Sequence, residues 1–256
     1  RWISVTSNIL KLLVRAYTEP RYMGYLQTKH SWTDSTIQSI AWKSLSLAID
    51  RIDRNVLITK VCNNILPTFH QLHRFGMHDS NKCPLCDADE TMQHMIQCEH
   101  PSRTSWRCGL IKALRTKMIA NNTTFSLLDT FVSAICDWME NGFVNIRKYP
   151  YHYREAIHQQ DRIGWDHLFT GKISREWLQA YEDTYVKPWP STKQQHRLDS
   201  YVWGAHIVEI ILRQMISLWE EWNKDIHGDT SEYKDRILKE KLSTEFLRLN
   251  SLQHKC

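Results

Sequence analysis

Glycine is scarce in this chain, at 8 of 256 residues, where an average protein of this length would have about 18. So few glycines argue against glycine-rich phosphate loops and against a β-sandwich with many tight turns. There is also no uninterrupted run of about 20 apolar residues. The most apolar stretch, residues 124–139, contains Asp129 and Asp137. We therefore expect neither a membrane span nor a membrane partner.

Several catalytic motifs are also missing. The chain has no Asp-Asp pair and no Tyr-x-Asp-Asp motif, so it lacks the adjacent carboxylates that hold the two metal ions of a polymerase. It has no His-Glu-x-x-His and no Gly-x-Ser-x-Gly. The adjacent Glu182 and Asp183 fall in a helical pattern, which predicts a solvated surface. We predict that this chain is not an enzyme and has no small-molecule substrate.

The composition is that of a globular protein with a substantial core. The hydrophobic set makes up 42% of the residues, charged residues make up 24%, and there are 11 tryptophans. The net charge of +5 permits contact with nucleic acid without requiring it. Because the sequence begins at Arg1 rather than at methionine, we expect a fragment of a longer protein.

Apolar residues recur at helical spacing along most of the chain. The predicted helices cover residues 35–49 (capped by Asp34), 51–65, a segment starting at Pro101, 125–139, 152–168, 174–185 and 231–249. The longest periodic run, from Leu198 to Trp222, predicts one long helix that ends near Gly228. The predicted fold is mainly α. A helical region (1–148) contains a small irregular zinc-binding insert, and a second helical region (149–256) contains the long helix after a linker at 188–191.

Three of the seven cysteines fall within sixteen residues, close to a histidine. The ligand candidates are Cys83, Cys86, His94 and Cys98, in the spacing C-x2-C-x7-H-x3-C. Two thiolates three residues apart can hold one ion from a tight turn, and residues four apart share one face of a helix. Three thiolates and one imidazole form a closed tetrahedral set for Zn²⁺. This pattern predicts a structural zinc site in a reducing compartment rather than a disulfide framework.

Two details of this insert stay open at the level of sequence. His73, His78 or His100 could replace His94 as the fourth ligand without changing the class of site. Asp89 is a candidate cap for the helix that would carry His94.

The same region resembles a known family. The segment 65–76 (ILPTFHQLHRFG), followed by Cys83-Pro-Leu-Cys86, Glu90-Thr91, His94 and Cys98, is similar to the zinc-binding region C-terminal to the polymerase in non-LTR retrotransposon reverse transcriptases. The resemblance covers residues 37–106. Two later segments, from Gly164 to Trp177 and from Trp219 to Gly228, resemble downstream parts of related open reading frames.

The resemblance implies a non-catalytic module that helps a reverse transcriptase bind template RNA or target DNA. Its partners would be nucleic acid and the upstream polymerase domain of the same polyprotein, and its location would be intracellular, most naturally nuclear. The candidate nucleic-acid-binding residues flank the zinc insert: Arg74, Lys82, Arg103 and Arg107. The alternative is a zinc-stabilised structural or protein-interaction module without nucleic-acid contact. An exposed apolar patch along Val202, Leu212 and Trp219 would favour that alternative.

Overall fold

The computed structural model describes residues 9–52, 56–184 and 193–227, together with positions 239, 242, 243 and 246. Within these residues the fold is mainly α, as predicted, with no β-strand. The α-helices are α1 (Ile9–His30), α2 (Asp34–Ser39), α3 (Trp42–Ile49), α4 (Val56–Cys62), α5 (Phe69–Arg74), α6 (Met92–Gln97), α7 (Pro101–Ala120), α8 (Phe125–Asn141), α9 (Arg154–Ile163), α10 (Trp165–Leu168), α11 (Arg175–Thr184) and α12 (Lys193–His227). Two 3-10 helices, Ile146–Lys148 and Tyr151–Tyr153, precede α9.

The predicted helix over residues 35–49 is wrong in one respect, because the structure divides it into α2 and α3. The break lies at Ile40 and Ala41, where Ile40 forms an isolated β-bridge with Ser174 and the Ala41 amide donates to the Ile173 carbonyl. The N-cap is Thr33 rather than Asp34, because the Thr33 hydroxyl accepts the hydrogen bond from the Thr36 amide.

The predicted helix over residues 152–168 is also divided, into α9 and α10. Gly164 ends α9 with a φ of 102°, in a region that residues with a side chain rarely adopt. A Cβ atom at this position would lie 2.6 Å from Asp166 Oδ1. The backbone therefore turns at the glycine, and no helix can continue through it.

The chain divides into two compact units, each built from two segments. Unit 1 comprises residues 1–55 and 110–211, and unit 2 comprises residues 56–109 and 212–256. The predicted domain boundary between residues 148 and 149 lies inside unit 1. Arg154 of α9 spans that position, since its side chain donates to the carbonyls of Tyr149 and Arg147.

Unit 1 is organised around α9, which packs against α2, α10 and α11. Leu26 of α1 belongs to a buried cluster that also contains Trp32, Ile37, Ile40 and Ile163. The Trp32 indole donates to the carbonyl of Ile163 over 3.0 Å, which ties the end of α1 to the end of α9. The first part of α12 packs in the same unit, where Trp203 is 2% exposed.

Unit 2 contains the cysteine-rich insert and the C-terminal part of α12. Trp106 of α7 is buried, and its indole donates to the carbonyl of Gln214 in α12 over 2.9 Å. Met215, Leu218, Trp219 and Trp222 of α12 are also buried. The rings of Trp219 and Trp222 stack with centroids 4.5 Å apart. Along this stretch, the apolar stripe of the predicted long helix is core.

Several predictions lie outside the described residues: the linker at 188–191, the helix end at Gly228 and, apart from four isolated positions, the helix over 231–249. Of the predicted helix over 51–65, the structure confirms α4 (Val56–Cys62), whereas residues 51–52 and 63–65 are not helical. Among the helices that the structure describes, none combines the length and the apolar character needed to span a membrane.

Candidate metal centre

The metal centre begins at a tight turn that places two cysteines side by side. The Cys83 amide donates to the Ala88 carbonyl over 2.7 Å, and the Asp87 amide donates back to the Cys83 carbonyl. Asp87 adopts a φ of 60°, which lets the chain reverse. The Leu85 amide donates to the Cys83 sulfur over 3.5 Å, a contact that favours the thiolate form.

A short helix supplies the other two ligand candidates. Thr91 caps α6, because its hydroxyl accepts a 3.0 Å hydrogen bond from the His94 amide. The prediction that Asp89 caps this helix is wrong. The Asp89 carboxylate lies 2.7 Å from Lys82 Nζ, and the two residues form a β-bridge that closes the cysteine turn. Cys98 follows at the C-cap of α6, where its amide donates to the His94 carbonyl.

The structure brings the four predicted ligands together. The sulfurs of Cys83, Cys86 and Cys98 and one ring nitrogen of His94 all lie within 4.8 Å of one another, so the group could hold a metal ion. His94 is therefore the histidine of this cluster. The three alternatives are engaged elsewhere, since Nδ1 of His73, His78 and His100 contacts the His78 carbonyl, the Ser80 carbonyl and the Ser102 hydroxyl, respectively.

The separations between ligand atoms fit a tetrahedral ion of zinc size. Two sulfurs about 2.3 Å from one tetrahedral Zn²⁺ lie about 3.8 Å apart. The sulfurs of Cys86 and Cys98 are 3.7 Å apart. Cys86 Sγ and His94 Nε2 are 3.1 Å apart, and zinc ligation would separate them to about 3.6 Å. These two separations are therefore close to those of a tetrahedral zinc site, and all four ligand atoms lie within 4.8 Å of one another.

The cluster is half enclosed by protein. Cys83 and Cys98 are buried, His94 is half-buried and Cys86 is exposed. Burial raises the pKa of the Cys83 thiol to about 12 and also raises the pKa of Cys98. Burial lowers the pKa of His94, which favours the neutral imidazole that ligates metals. A bound divalent cation reverses this balance for the thiols, because coordination deprotonates them.

Two side chains whose roles the sequence did not reveal, Glu90 and Arg107, connect the metal centre to other parts of unit 2. Glu90 is fully buried and accepts hydrogen bonds from the Phe69 amide and from the Trp222 indole, at 2.9 and 2.5 Å. Arg107 donates from Nη1 to the carbonyls of Ile96 and Cys98. Of the three acidic residues in the metal loop, Asp87 and Asp89 face solvent and Glu90 does not.

The predicted nucleic-acid-binding residues differ in their exposure and in their partners. Arg74 and Lys82 are exposed, although Lys82 is paired with Asp89. The prediction for Arg103 is wrong, because its side chain is 2% exposed and its guanidinium forms ion pairs with Asp225 at 2.7 Å and with Glu221 at 3.6 Å.

Arg107 is half-buried and is occupied by backbone carbonyls. The proposed apolar patch is likewise not a surface: Leu212 and Trp219 are buried and Val202 is half-buried.

Charge is unevenly divided between the two units. Unit 2 contains 13 Lys plus Arg and 13 Asp plus Glu, so it carries no net charge. Unit 1 contains 20 Lys plus Arg and 15 Asp plus Glu, which accounts for the whole net charge of +5. The excess of cations therefore belongs to unit 1 and not to the unit that contains the metal centre.

Comparison with known proteins adds no identification. No protein-family model, no curated protein and no solved structure matches this chain.

Proposed function

We propose that the chain is a non-catalytic, zinc-stabilised helical region of a reverse transcriptase of the non-LTR retrotransposon type, and that it assists the binding of template RNA or target DNA. The observation that carries the proposal is the convergence of three cysteines and one histidine within 4.8 Å. Four protein ligands fill a tetrahedral shell and leave no position for a reactive water, so the ion is structural. The resemblance over residues 37–106 supplies the link to reverse transcription.

In this proposal, zinc organises unit 2 and does not touch the nucleic acid. The ion fixes the turn of Cys83 and Cys86 against α6, and Glu90 then anchors that loop to α5 and α12. Affinity for the polyanion comes from exposed cations, among which Arg74 is the predicted contributor from unit 2. Its polymerase partner would lie in the same polyprotein, and the protein would act in the nucleus.

Metal content is the first test. We expect about one zinc per purified chain by elemental analysis, and loss of that zinc in Cys86→Ser with a marked drop in stability. Cys108→Ser is the matched control, because Cys108 is an exposed cysteine outside the cluster. Absence of zinc from the wild-type chain, retention of zinc in Cys86→Ser, or equal loss of zinc from both variants would contradict the assignment.

Nucleic-acid binding is tested separately by gel shift against RNA and DNA over a range of salt concentrations. For a protein that neutralises phosphates, the logarithm of the binding constant falls linearly with the logarithm of the salt concentration. A wild-type chain with full zinc content that gives no shift at low salt would overturn the nucleic-acid part of the proposal.

A second candidate function is favoured by one observation. Unit 2 has no net charge, and Arg103 and Arg107 are engaged inside the protein. This charge balance is what a zinc-stabilised architectural module without nucleic-acid contact would have. A zinc-loaded chain that fails the gel shift but co-purifies with a separately expressed polymerase domain would support this second function.

A further inference from the structure

An exposed face of α1 carries alternating tyrosines and cations. Tyr17, Arg21, Tyr25 and Lys29 are four residues apart, a spacing that places them on one side of a helix. All four side chains are exposed, with Tyr17 at 60% and Tyr25 at 51%. We call these four residues the α1 stripe.

Each cation of the α1 stripe lies over the tyrosine one turn before it. Arg21 Cζ is 3.8 Å from the centroid of the Tyr17 ring, and Lys29 Nζ is 5.5 Å from that of Tyr25. These cation–π contacts order long side chains that would otherwise sample many rotamers. They therefore lower the entropic cost of binding a ligand on this face.

The opposite side of α1 attaches the helix to unit 1. Leu26 is 2% exposed in the buried cluster with Trp32 and Ile163, and Met23 packs against that cluster. At 100° per residue, these anchors lie about 150° round the helix from the middle of the α1 stripe. The core contacts of α1 thus hold the stripe facing outward.

Charge complementarity identifies the kind of ligand. α1 contains four Lys or Arg residues and one acidic residue, Glu19, within a unit that carries the whole net charge of +5. Tyrosine rings offer flat faces on which bases of any sequence can stack, and adjacent cations neutralise phosphates. Tyr17 and Tyr25 are about 12 Å apart along the axis, the length of about three to four nucleotides at 3.4 Å each.

We propose that the α1 stripe binds single-stranded nucleic acid, with bases stacked on the faces of Tyr17 and Tyr25 opposite the cations and phosphates contacted by Arg21 and Lys29. This inference rests on the proposed function, since it names the surface that would serve it. It places that surface in unit 1, away from the cysteine cluster in the chain.

The test measures binding of the full zinc-loaded chain to fluorescent 20-nucleotide single-stranded RNA and DNA by anisotropy over a range of salt concentrations. The charge variant is Arg21→Gln/Lys29→Gln, and the ring variant is Tyr17→Leu/Tyr25→Leu. Lys43→Gln/Arg147→Gln is the control for charge: both residues are exposed in unit 1, and Lys43 also lies over a tyrosine ring, that of Tyr201 at 4.9 Å. Circular dichroism verifies that helicity is retained.

We expect the charge variant to bind more weakly and to lower the slope of log K against log salt by about 1.4, since each single-strand phosphate contact contributes about 0.7. The ring variant should lose at least about tenfold in affinity with an unchanged salt slope, because stacking does not depend on counterion release. The control should stay within about threefold of wild type.

Failures of the two proposals can be distinguished. Wild-type binding that both stripe variants retain overturns the α1 stripe and leaves the proposed function standing. A wild-type chain that binds neither oligonucleotide overturns both. Binding to anionic phospholipid vesicles that the ring variant loses, with oligonucleotide binding unaffected, would assign the stripe to a membrane surface and overturn the inference.

Discussion

Glu90, in the loop of the metal centre, accepts a 2.5 Å hydrogen bond from the indole of Trp222, a residue 132 positions later in the chain. The same carboxylate accepts the amide of Phe69, whose ring meets that of Trp222 edge-on. One fully buried side chain therefore joins the metal loop, α5 and α12. Burial raises the pKa of Glu90, and the hydrogen bonds from Trp222 and Phe69 oppose that shift.

Replacement of Glu90 should destabilise unit 2. In Glu90→Ala, the buried Trp222 indole and the part-buried Phe69 amide lose their acceptor, at a cost of about 2–4 kcal/mol in the free energy of unfolding. Urea denaturation of the zinc-loaded chain, followed by tryptophan fluorescence, measures the loss. Glu99→Ala is the control, because Glu99 is exposed, and it should change stability by no more than about 0.5 kcal/mol. Equal effects of the two substitutions would contradict the anchoring role.

Arg107 should matter for metal retention. Its guanidinium holds the carbonyls of Ile96 and Cys98, so Arg107→Met frees the segment that carries a ligand. Loss of such outer contacts typically weakens metal affinity by about 10–100-fold. Competition with a chromophoric chelator measures this affinity. Arg74→Met is the control: it removes an exposed arginine from the same unit and should leave the metal affinity unchanged.

Gly164 should not tolerate a side chain. Its φ of 102° disfavours alanine, and a Cβ atom would lie 2.6 Å from Asp166 Oδ1 and 2.9 Å from His167 Cδ2. We expect Gly164→Ala to lower the free energy of unfolding by about 2 kcal/mol or more. Gly24→Ala in α1 meets no atom within 4 Å, and in a helix it should stabilise by about 0.5–1 kcal/mol. Thermal unfolding of both variants tests whether the two changes in stability have opposite signs.

The stability of unit 1 should fall in mild acid because of two histidines, the buried His167 and the half-buried His30. Burial and the nearby Lys172 lower the pKa of His167 to about 3, and burial and His167 lower the pKa of His30 to about 4. An unfolded histidine titrates near 6.5, so the stabilisation is complete above that pH and is lost as the pH falls toward the folded-state values. The loss for His167 approaches about 1.4 kcal/mol per pH unit.

Urea unfolding between pH 8 and pH 5 measures this dependence. His167→Gln should unfold with a shallower pH dependence than wild type, while His158→Gln, at an exposed site in α9, should follow wild type. Comparing variants removes the contribution of the cysteine cluster, which all of them share. Parallel curves for wild type and His167→Gln would refute the assignment.

The sequence predicts local features of this fold well. The helix predicted to start at Pro101 is confirmed as α7, which buries Trp106, Leu110, Leu114 and Met118. The helix predicted over 125–139 is confirmed as α8. The convergence of the metal ligands could also be predicted, because all four lie within sixteen residues and their spacing determines which faces they share.

What the sequence could not predict depends on residues far apart in the chain. The break between α2 and α3 is caused by Ile173 and Ser174, and the burial of Arg103 follows from its pairing with Asp225, 122 positions away. The same holds for the two units, since each contains two separate segments and a single boundary cannot divide them. Composition around Arg103 and Arg107 suggested a basic surface, but only long-range partners decide whether a cation faces solvent.

The discontinuity of unit 2 has a consequence for the order of events during synthesis. The residues of the cysteine cluster leave the ribosome together, so the cluster can close as soon as Cys98 emerges. Trp222 and Asp225, which complete the surroundings of Glu90 and Arg103, follow more than a hundred residues later. A nascent chain released before α12 would therefore carry an assembled ligand set, while the Glu90 carboxylate and the Arg103 guanidinium would still lack their partners in α12. Proteases and chaperones would have access to such a state.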